Sequence, residues 1–549
     1  MCSFLCYYPA LRNDWVWDDF YLIFTHLPSI TSLTSLLQPD NQLYWRPVTS
    51  LSLLLDYGLW NQDPWGYHLT NILLHGLCGI GLFFLLIHFG QRPVLSLVGV
   101  LWFISLPLHL ENVVWISGRA DILATFWILL YFLSFSLWTE KRDLRLFVVI
   151  ILFGWFAVLA KEIGLICPIL TLLYLGFYKR RDLWRMSLLL SFLVILPPLW
   201  LKIRPFYPSP KNLAFTEMNS DLIMNAISSQ GFYLAKLFYP YHLQPYIPDI
   251  PRSGFIFFLG LVLISAGLGL IWKKRDPRLR LGVTILLISL GMTLPPILTD
   301  NFSVTPLAER YLYFPTLVFL CLIMGWLETI LGRVREKTQP LILFLFLILV
   351  GLNGWLTFSQ ITVWKDNRVF WEYVKKETGH WFPDYQLGLD YLGRGDLKRS
   401  AEHLTLGYLN GGNQYPKLES SYFESRGLIF EREKDFKQAE RYLKKSVEIH
   451  SYPSNLNHLA QFYLSQYRRE PMGKKDCLDL ARAQLENGLR LAPNDVHLLF
   501  SYALLFNEAG ELSKARSFFQ QVAEARPNTP EGQKALDWLE GQTRLPLKK

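Results

Sequence analysis

Cysteine is scarce, with six residues in 549, at positions 2, 6, 78, 167, 321 and 477. They are scattered, with no C-x-x-C pair and no histidine at metal-ligand spacing. That argues against a disulfide framework or a zinc site and leaves them as small apolar fillers. No glycine-rich loop follows a strand pattern, so no phosphate-cradling nucleotide-binding domain is expected. Met1 to Leu11 is apolar but has neither a basic n-region nor a small-residue cleavage site, which excludes a signal peptide. Charge is also thin: Asp, Glu, Lys and Arg make up only 18% of the chain, and before Ser359 they sit mainly between long apolar runs. The net charge of +9 therefore does not mark a nucleic-acid binder, because basic residues between apolar segments set membrane topology instead.

Apolar runs are what the chain has in abundance, and runs of this length predict transmembrane helices. Spans are expected at 67–89, 93–108, 120–138, 144–160, 163–178, 184–201, 254–272, 280–298, 310–331 and 340–358. Met1 to Leu11 is about half the length of a spanning helix, so further apolar residues are expected upstream of it. Counting that partial helix, the expectation is about eleven spans. The fold class is thus all-α, a polytopic transmembrane helix bundle over residues 1–360. A juxtamembrane linker at 361–380 and a soluble helical region at 381–540 follow. Residues 222–243 are moderately apolar but contain Lys236, and they read as an interfacial or re-entrant segment.

Basic clusters fix the sides. Lys141-Arg142 with Arg145, Lys179-Arg180-Arg181 with Arg185, Lys273-Lys274-Arg275 with Arg278 and Arg280, and Arg333 with Arg335 and Lys337 all fall in alternate loops. The positive-inside rule makes those loops cytoplasmic. The remaining loops and the C-terminal region then lie on the opposite side.

The soluble region repeats. Ala515, Phe519 and Pro527 match Ala481, Leu485 and Pro493 at a shift of about 34 residues, the tetratricopeptide period. Gly427, Ala439 and Leu443 mark an earlier unit, and Leu387-Gly388 with Tyr391 a degenerate first one, while Arg468 to Lys475 is an insertion. About four helical hairpins, each burying its face only against its neighbours, predict a short α-solenoid suited to protein partners.

Polar residues crowd the loops of the non-cytoplasmic side. Asp18 and Asp19 sit among aromatics where the first apolar segment ends, and carboxylates at a membrane boundary are functional candidates by default. Tyr44-Trp45-Arg46-Pro47 follows in the same loop. His68, Asn71 and His75 share one face of the next helix. Further outer loops carry His109, Glu111, Arg119 and Asp121, then Lys161-Glu162, then Glu309-Arg310. Each has a plain structural reading as well. The His68/Asn71/His75 stripe fits an interhelical hydrogen-bonding seam. Arg119 with Asp121, Lys161 with Glu162, and Glu309 with Arg310 fit local ion pairs, and Arg46 fits stacking on Trp45. Their shared side is what favours a site. A carboxylate there can accept a proton from an incoming hydroxyl, and arginine and lysine can hold a phosphate and stabilise its developing charge. Two carboxylates and several cations at a membrane surface suit chemistry on a lipid-linked phosphate, without a nucleotide-sugar donor.

The Trp-Asp-Asp-Phe-Tyr loop, Tyr-Trp-Arg-Pro, His68-Leu-Thr-Asn71 with His75, the His109 to Asp121 run, Lys161-Glu162, the Glu309 to Pro315 run and the trailing repeats carry a resemblance. Together they resemble the transmembrane-and-tetratricopeptide-repeat (TMTC-type) O-mannosyltransferases of the GT-C superfamily. The resemblance implies a GT-C-type bundle and inverting transfer of a hexose, mannose first, from a polyprenyl-phosphate donor to a protein Ser or Thr hydroxyl. No cofactor is expected beyond that donor, with metal dependence left open, and membrane lipids and a protein acceptor are the expected partners. The acidic pair then supplies the base, Asp18 with Asp19 assisting. Arg46, Lys161 and Arg310 are the donor-phosphate candidates, with Arg119 a further one, and His75, His109, Glu111 and Glu162 complete the site set. The short connections point to a bacterial inner membrane with site and repeats periplasmic, the alternative being an endoplasmic reticulum membrane with lumenal repeats. Two other readings stay open: the same donor with a lipid or polysaccharide acceptor, and a non-catalytic scaffold that recruits partners through its repeats.

Overall fold

Proline and aspartate set the helix starts in this chain. Asp63 accepts the Trp65 N–H ahead of Pro64, and Asp276 caps the helix at Pro277 by accepting the Arg278 N–H, a preferred arrangement at orphaned N-terminal amides. In the computed structural model the described residues are 2–30, 32–37, 45–141, 143–178, 219–273, 276–298, 305–471, 476–527 and 529–543. The expected span at 184–201, Tyr44, the Lys179 to Arg181 cluster with Arg185, Lys274-Arg275 and Met472 to Lys475 of the repeat insertion lie outside them.

The chain forms two compact units, residues 1–27 with 36–370, and residues 28–35 with 371–549. Both are helical, and among the described residues the only extended pairing is an isolated bridge between Ile247 and Leu307. In the first unit six helices are long and apolar enough to cross a membrane: Pro64–His88, Ile116–Lys141, Gly254–Lys273, Pro277–Leu298, Glu309–Leu331 and Glu336–Trp364. A seventh span arises if the bent pair Pro93–Ser105 and Pro107–Val114 is one crossing. Two of the expected spans are shorter apolar helices, Leu144–Ala160 and Glu162–Tyr178. The described residues thus carry six or seven candidate spans where about eleven were expected. The segment at 222–243 overlaps a helix at Ser220–Phe238 that is not among the candidates.

The 52° break between Ser105 and Pro107 has a local cause. Leu106 precedes a proline and is held extended at φ −69°, ψ 123°, the conformation that a following pyrrolidine ring enforces. The break turns Pro107–Val114 away from the Pro93–Ser105 axis, and the run then enters the Ile116–Lys141 helix.

The second unit is a row of antiparallel hairpins, Phe382–Arg394 with Leu397–Leu409, Pro416–Arg432 with Phe436–Ile449, Pro453–Arg469 with Asp476–Leu491, and Val496–Glu508 with Leu512–Ala525, closed by Pro530–Thr543. The repeat signature marks its core, since Ala439, Leu443, Ala481, Leu485, Ala515 and Phe519 are all buried. Small residues there let successive helices approach, as a tetratricopeptide array requires.

Candidate active site

The acidic pair is held by a strained loop. Trp17 has φ +56°, a left-handed conformation that costs a non-glycine residue about 1–3 kcal/mol and persists only when its surroundings impose it. Here the indole stacks on Trp115 at 5.3 Å, and the Trp17 N–H donates to Asn367 Oδ1 at 3.0 Å. The Trp115 indole N–H in turn donates to the Val16 carbonyl at 3.1 Å, and the Asp14 N–H to the Lys365 carbonyl at 2.8 Å. The next residues, Leu22–His26, form a wide π-helical turn, a feature found often at functional sites.

The two aspartates have different surroundings. Asp19 is buried, its Oδ1 accepting from the Ser117 N–H at 2.9 Å and the Ser117 hydroxyl at 2.5 Å and its Oδ2 from the Val16 N–H at 3.1 Å. Burial nevertheless dominates those bonds and raises its pKa to about 7. Asp18 is exposed, and among the described residues its carboxylate makes no hydrogen bond or ion pair. Desolvation by the surrounding protein raises its pKa above the ordinary value, while the charges of Arg310 and Arg46 pull it down. Ser117, which sequence reasoning passed over, is what makes the surroundings of the two aspartates differ. Its position depends on Gly118, where a Cβ would lie 2.7 Å from the Glu111 carbonyl oxygen.

The charged residues pair across the fold rather than with their neighbours in sequence. Arg310 pairs with Glu111, which also accepts the Arg310 backbone N–H at 3.0 Å, and its guanidinium lies over Trp115 and Tyr311 at 5.2 and 5.1 Å. Lys161 meets both oxygens of Asp121 at 2.6 Å, and Arg46 meets Glu162 at 3.3 Å with both side chains partly exposed. Glu309 pairs with Lys236 at 2.6 Å. None of the three local pairs that sequence adjacency suggests is the one formed. Lys161 and Glu162 point to different partners because Gly164 folds the turn back on the helix before it, where a Cβ would sit 2.3 Å from the Ala157 carbonyl carbon.

Arg119 stands apart from the other cations. It is fully buried, bonded to Asp56 at 2.5 Å, Asn71 at 2.6 Å, the Tyr67 carbonyl at 2.8 Å and Ser52. Asp56, a lone carboxylate in the apolar Pro47–Trp60 helix, was the signal for this partner, since an ionisable residue at membrane depth needs one. Every donor face of Arg119 is thus committed to the scaffold. Removing one partner of a buried pair costs about 3–5 kcal/mol, so Arg119→Ala is expected to lower the melting temperature of the solubilised protein sharply. An unchanged melting temperature with lost donor binding would instead make Arg119 a phosphate ligand.

His75 and His109 form a seam, while neither ring nitrogen of the buried His68 has a hydrogen-bond partner among the described residues. His75 is buried with Nδ1 2.7 Å from the Tyr313 hydroxyl and Nε2 3.3 Å from the Ile104 carbonyl, and His109 bridges the Phe103 carbonyl at 2.8 Å and Thr316 at 2.7 Å. Asn71 donates to the Val113 and Trp115 carbonyls. These residues tie helices together beneath the loop, and none of them bonds to either aspartate. Among the described residues no group of three or more His, Cys, Asp and Glu is gathered as a metal ion would need.

A polytopic helical membrane unit with an accessible aspartate among cations, carried with a tetratricopeptide-type array, is the class these features define. No family model matches the chain. Among curated proteins, human protein O-mannosyl-transferase TMTC2 is 37% identical over 92 residues, covering 17% of this chain and 11% of that protein. Xenopus laevis tmtc2 is 32% identical over 156 residues (26% and 18%), and Mus musculus TMTC4 33% identical over 159 (24% and 22%). The resemblance to TMTC-type proteins therefore stands on sequence as well as on motifs, and the chain spans no more than about a fifth of the length of these relatives. Two solved structures align loosely, yeast Tom70 at 12% identity and TM-score 0.27 over 78% of this chain and 93% of that one, and the Cut9–Hcn1 hetero-tetramer at 14% and 0.28 over 93% and 99%. Neither likeness bears on the fold.

Proposed function

We propose that this chain is a GT-C-type membrane glycosyltransferase. It moves a hexose, mannose first, from a polyprenyl-phosphate donor to a Ser or Thr hydroxyl of a protein on the non-cytoplasmic side of a bacterial inner membrane. The observation that carries this reading is the inequality of the two aspartates: Asp19 is locked by three hydrogen bonds while Asp18 has an uncommitted carboxylate under the influence of Arg310 and Arg46. A free carboxylate accepts the acceptor's proton as its oxygen attacks the sugar carbon. Asp19 is a positioning residue that fixes the loop. Arg46 and Arg310 stabilise the departing phosphate, with Lys161 behind them in the same charge cluster. The repeats select or hold the protein acceptor. Purified full-length protein given a polyprenyl-phosphate mannose and a Ser/Thr-rich peptide is expected to glycosylate the peptide. Mass spectrometry that finds the peptide unmodified, with the donor intact or merely hydrolysed, would overturn the proposal.

A further inference from the structure

The charged loops lie at one end of the Pro64–His88 helix, and a separate cavity opens toward the other. It has a volume of about 500 Å³, within the range of ligand sites. Its walls are apolar, from Leu85 and Phe132 to Leu281, Phe314 and Trp326, and run along the Tyr313–Leu331 helix toward Arg333. The polar residues at its rim are Gln91, Asp276, Arg278, Glu328, Thr329 and Arg333.

The rim's acids are committed and its bases are not. Glu328 is bonded to Arg92 Nε at 2.8 Å and to the Arg92 N–H at 3.3 Å, and Asp276 caps its helix. The guanidinium groups of Arg278 and Arg333 are exposed and make no hydrogen bond or ion pair among the described residues. Gln91 supplies an independent sign of a missing ligand. It is 9% exposed, and its Oε1 is buried with no hydrogen-bond partner among the described residues, an arrangement that is costly unless a ligand meets it.

We infer that this cavity is a binding site for one anionic phospholipid of the leaflet opposite the aspartates. One acyl chain lies in the apolar shaft, the phosphate meets Arg278 and Arg333, and a headgroup hydroxyl donates to Gln91 Oε1. Unpaired arginines select the negative phosphate, and the orphaned acceptor selects a hydroxyl-bearing headgroup over a quaternary ammonium. The lipid would brace the Pro277–Gly291 and Tyr313–Leu331 helices, which share the cavity wall.

Native mass spectrometry of the full-length protein, delipidated in detergent and titrated with phosphatidylglycerol or phosphatidylcholine, tests this. Wild type is expected to hold one phosphatidylglycerol in preference to phosphatidylcholine by about tenfold or more, because both lipids carry the phosphate and only phosphatidylcholine adds a cation beside the two arginines. Arg278→Gln with Arg333→Gln should cut the preference sharply, to the part that Gln91 alone supplies. Gly325→Leu is the second variant, because a Cβ there meets nothing nearer than Gln91 Nε2 at 3.7 Å. It fills the shaft without breaking packing and should abolish retention of the lipid while both arginines remain. Equal retention of the two lipids by wild type, or unchanged retention by Gly325→Leu, would overturn the site. So would displacement of phosphatidylglycerol by an equimolar polyprenyl phosphate, which would make the shaft a donor groove.

Discussion

Asp18→Asn lowers glycosyl transfer by roughly 10²–10⁴-fold, the range that a positioned general base contributes, and leaves donor binding in place. The amide keeps the shape of the side chain and loses its basicity, and since the Asp18 carboxylate makes no hydrogen bond or ion pair among the described residues its replacement disturbs none of their contacts. The pH profile carries the same sign. Because the pKa of Asp18 is raised, the residue stays protonated at a pH where an ordinary aspartate has ionised, so kcat/KM should climb with pH through a limb above the usual carboxylate range. Asp19→Asn gives the contrast. Its folded-state pKa of about 7 exceeds the ordinary 3.8, so its contribution to stability is complete below about pH 4 and lost as pH rises through 7. Asp19→Asn should flatten that stability profile and slow transfer less than Asp18→Asn does. Normal turnover in Asp18→Asn with a dead Asp19→Asn would exchange the two roles.

The second large effect falls on the phosphate. Arg46→Ala should slow transfer by about 10²-fold, as loss of one donor to a developing oxyanion does, while the protein stays folded. Its bond to Glu162 is long, at 3.3 Å, with 27% exposure on both side chains, and exposed pairs of that kind contribute only about 0–1 kcal/mol. Arg310 needs a different design. It answers the buried Glu111, so Arg310→Ala would strand a carboxylate and confuse misfolding with lost catalysis. Arg310→Gln combined with Glu111→Gln removes both charges and isolates the catalytic effect. Near-normal rates in Arg46→Ala and in that double variant would move the phosphate to Lys161.

How far the sequence could be read depends on what each feature needs. Long helices such as Pro64–His88 and Gly254–Lys273 were legible because apolar length alone defines them. The repeat was legible because Ala439, Ala481 and Ala515 must each be small where helices cross, and that constraint recurs at the 34-residue period from Ala481 to Ala515 and at that period plus the insertion from Ala439 to Ala481. The place of Asp18-Asp19 in a loop at the edge of an apolar segment was legible from the residues that flank it. The pairing of charges was not. Which acid meets Arg310 or Lys161 is decided by which helix ends converge in space, and adjacency pointed to Glu309 and Glu162 where the fold supplies Glu111 and Asp121. Ser117 went unnoticed for a related reason, since a serine beside a glycine reads as a turn until the residue it faces is known.

In the proposed reaction Asp18 drives a single direct displacement on a lipid-linked sugar. The anomeric configuration of the sugar on the product peptide, made by purified protein from a polyprenyl-phosphate mannose of one defined anomer and read by NMR coupling constants, tests it most directly. The configuration opposite to that of the donor is the expected result. Retention of the donor's configuration would require a covalent sugar–enzyme intermediate and would contradict the assignment of Asp18 as a base.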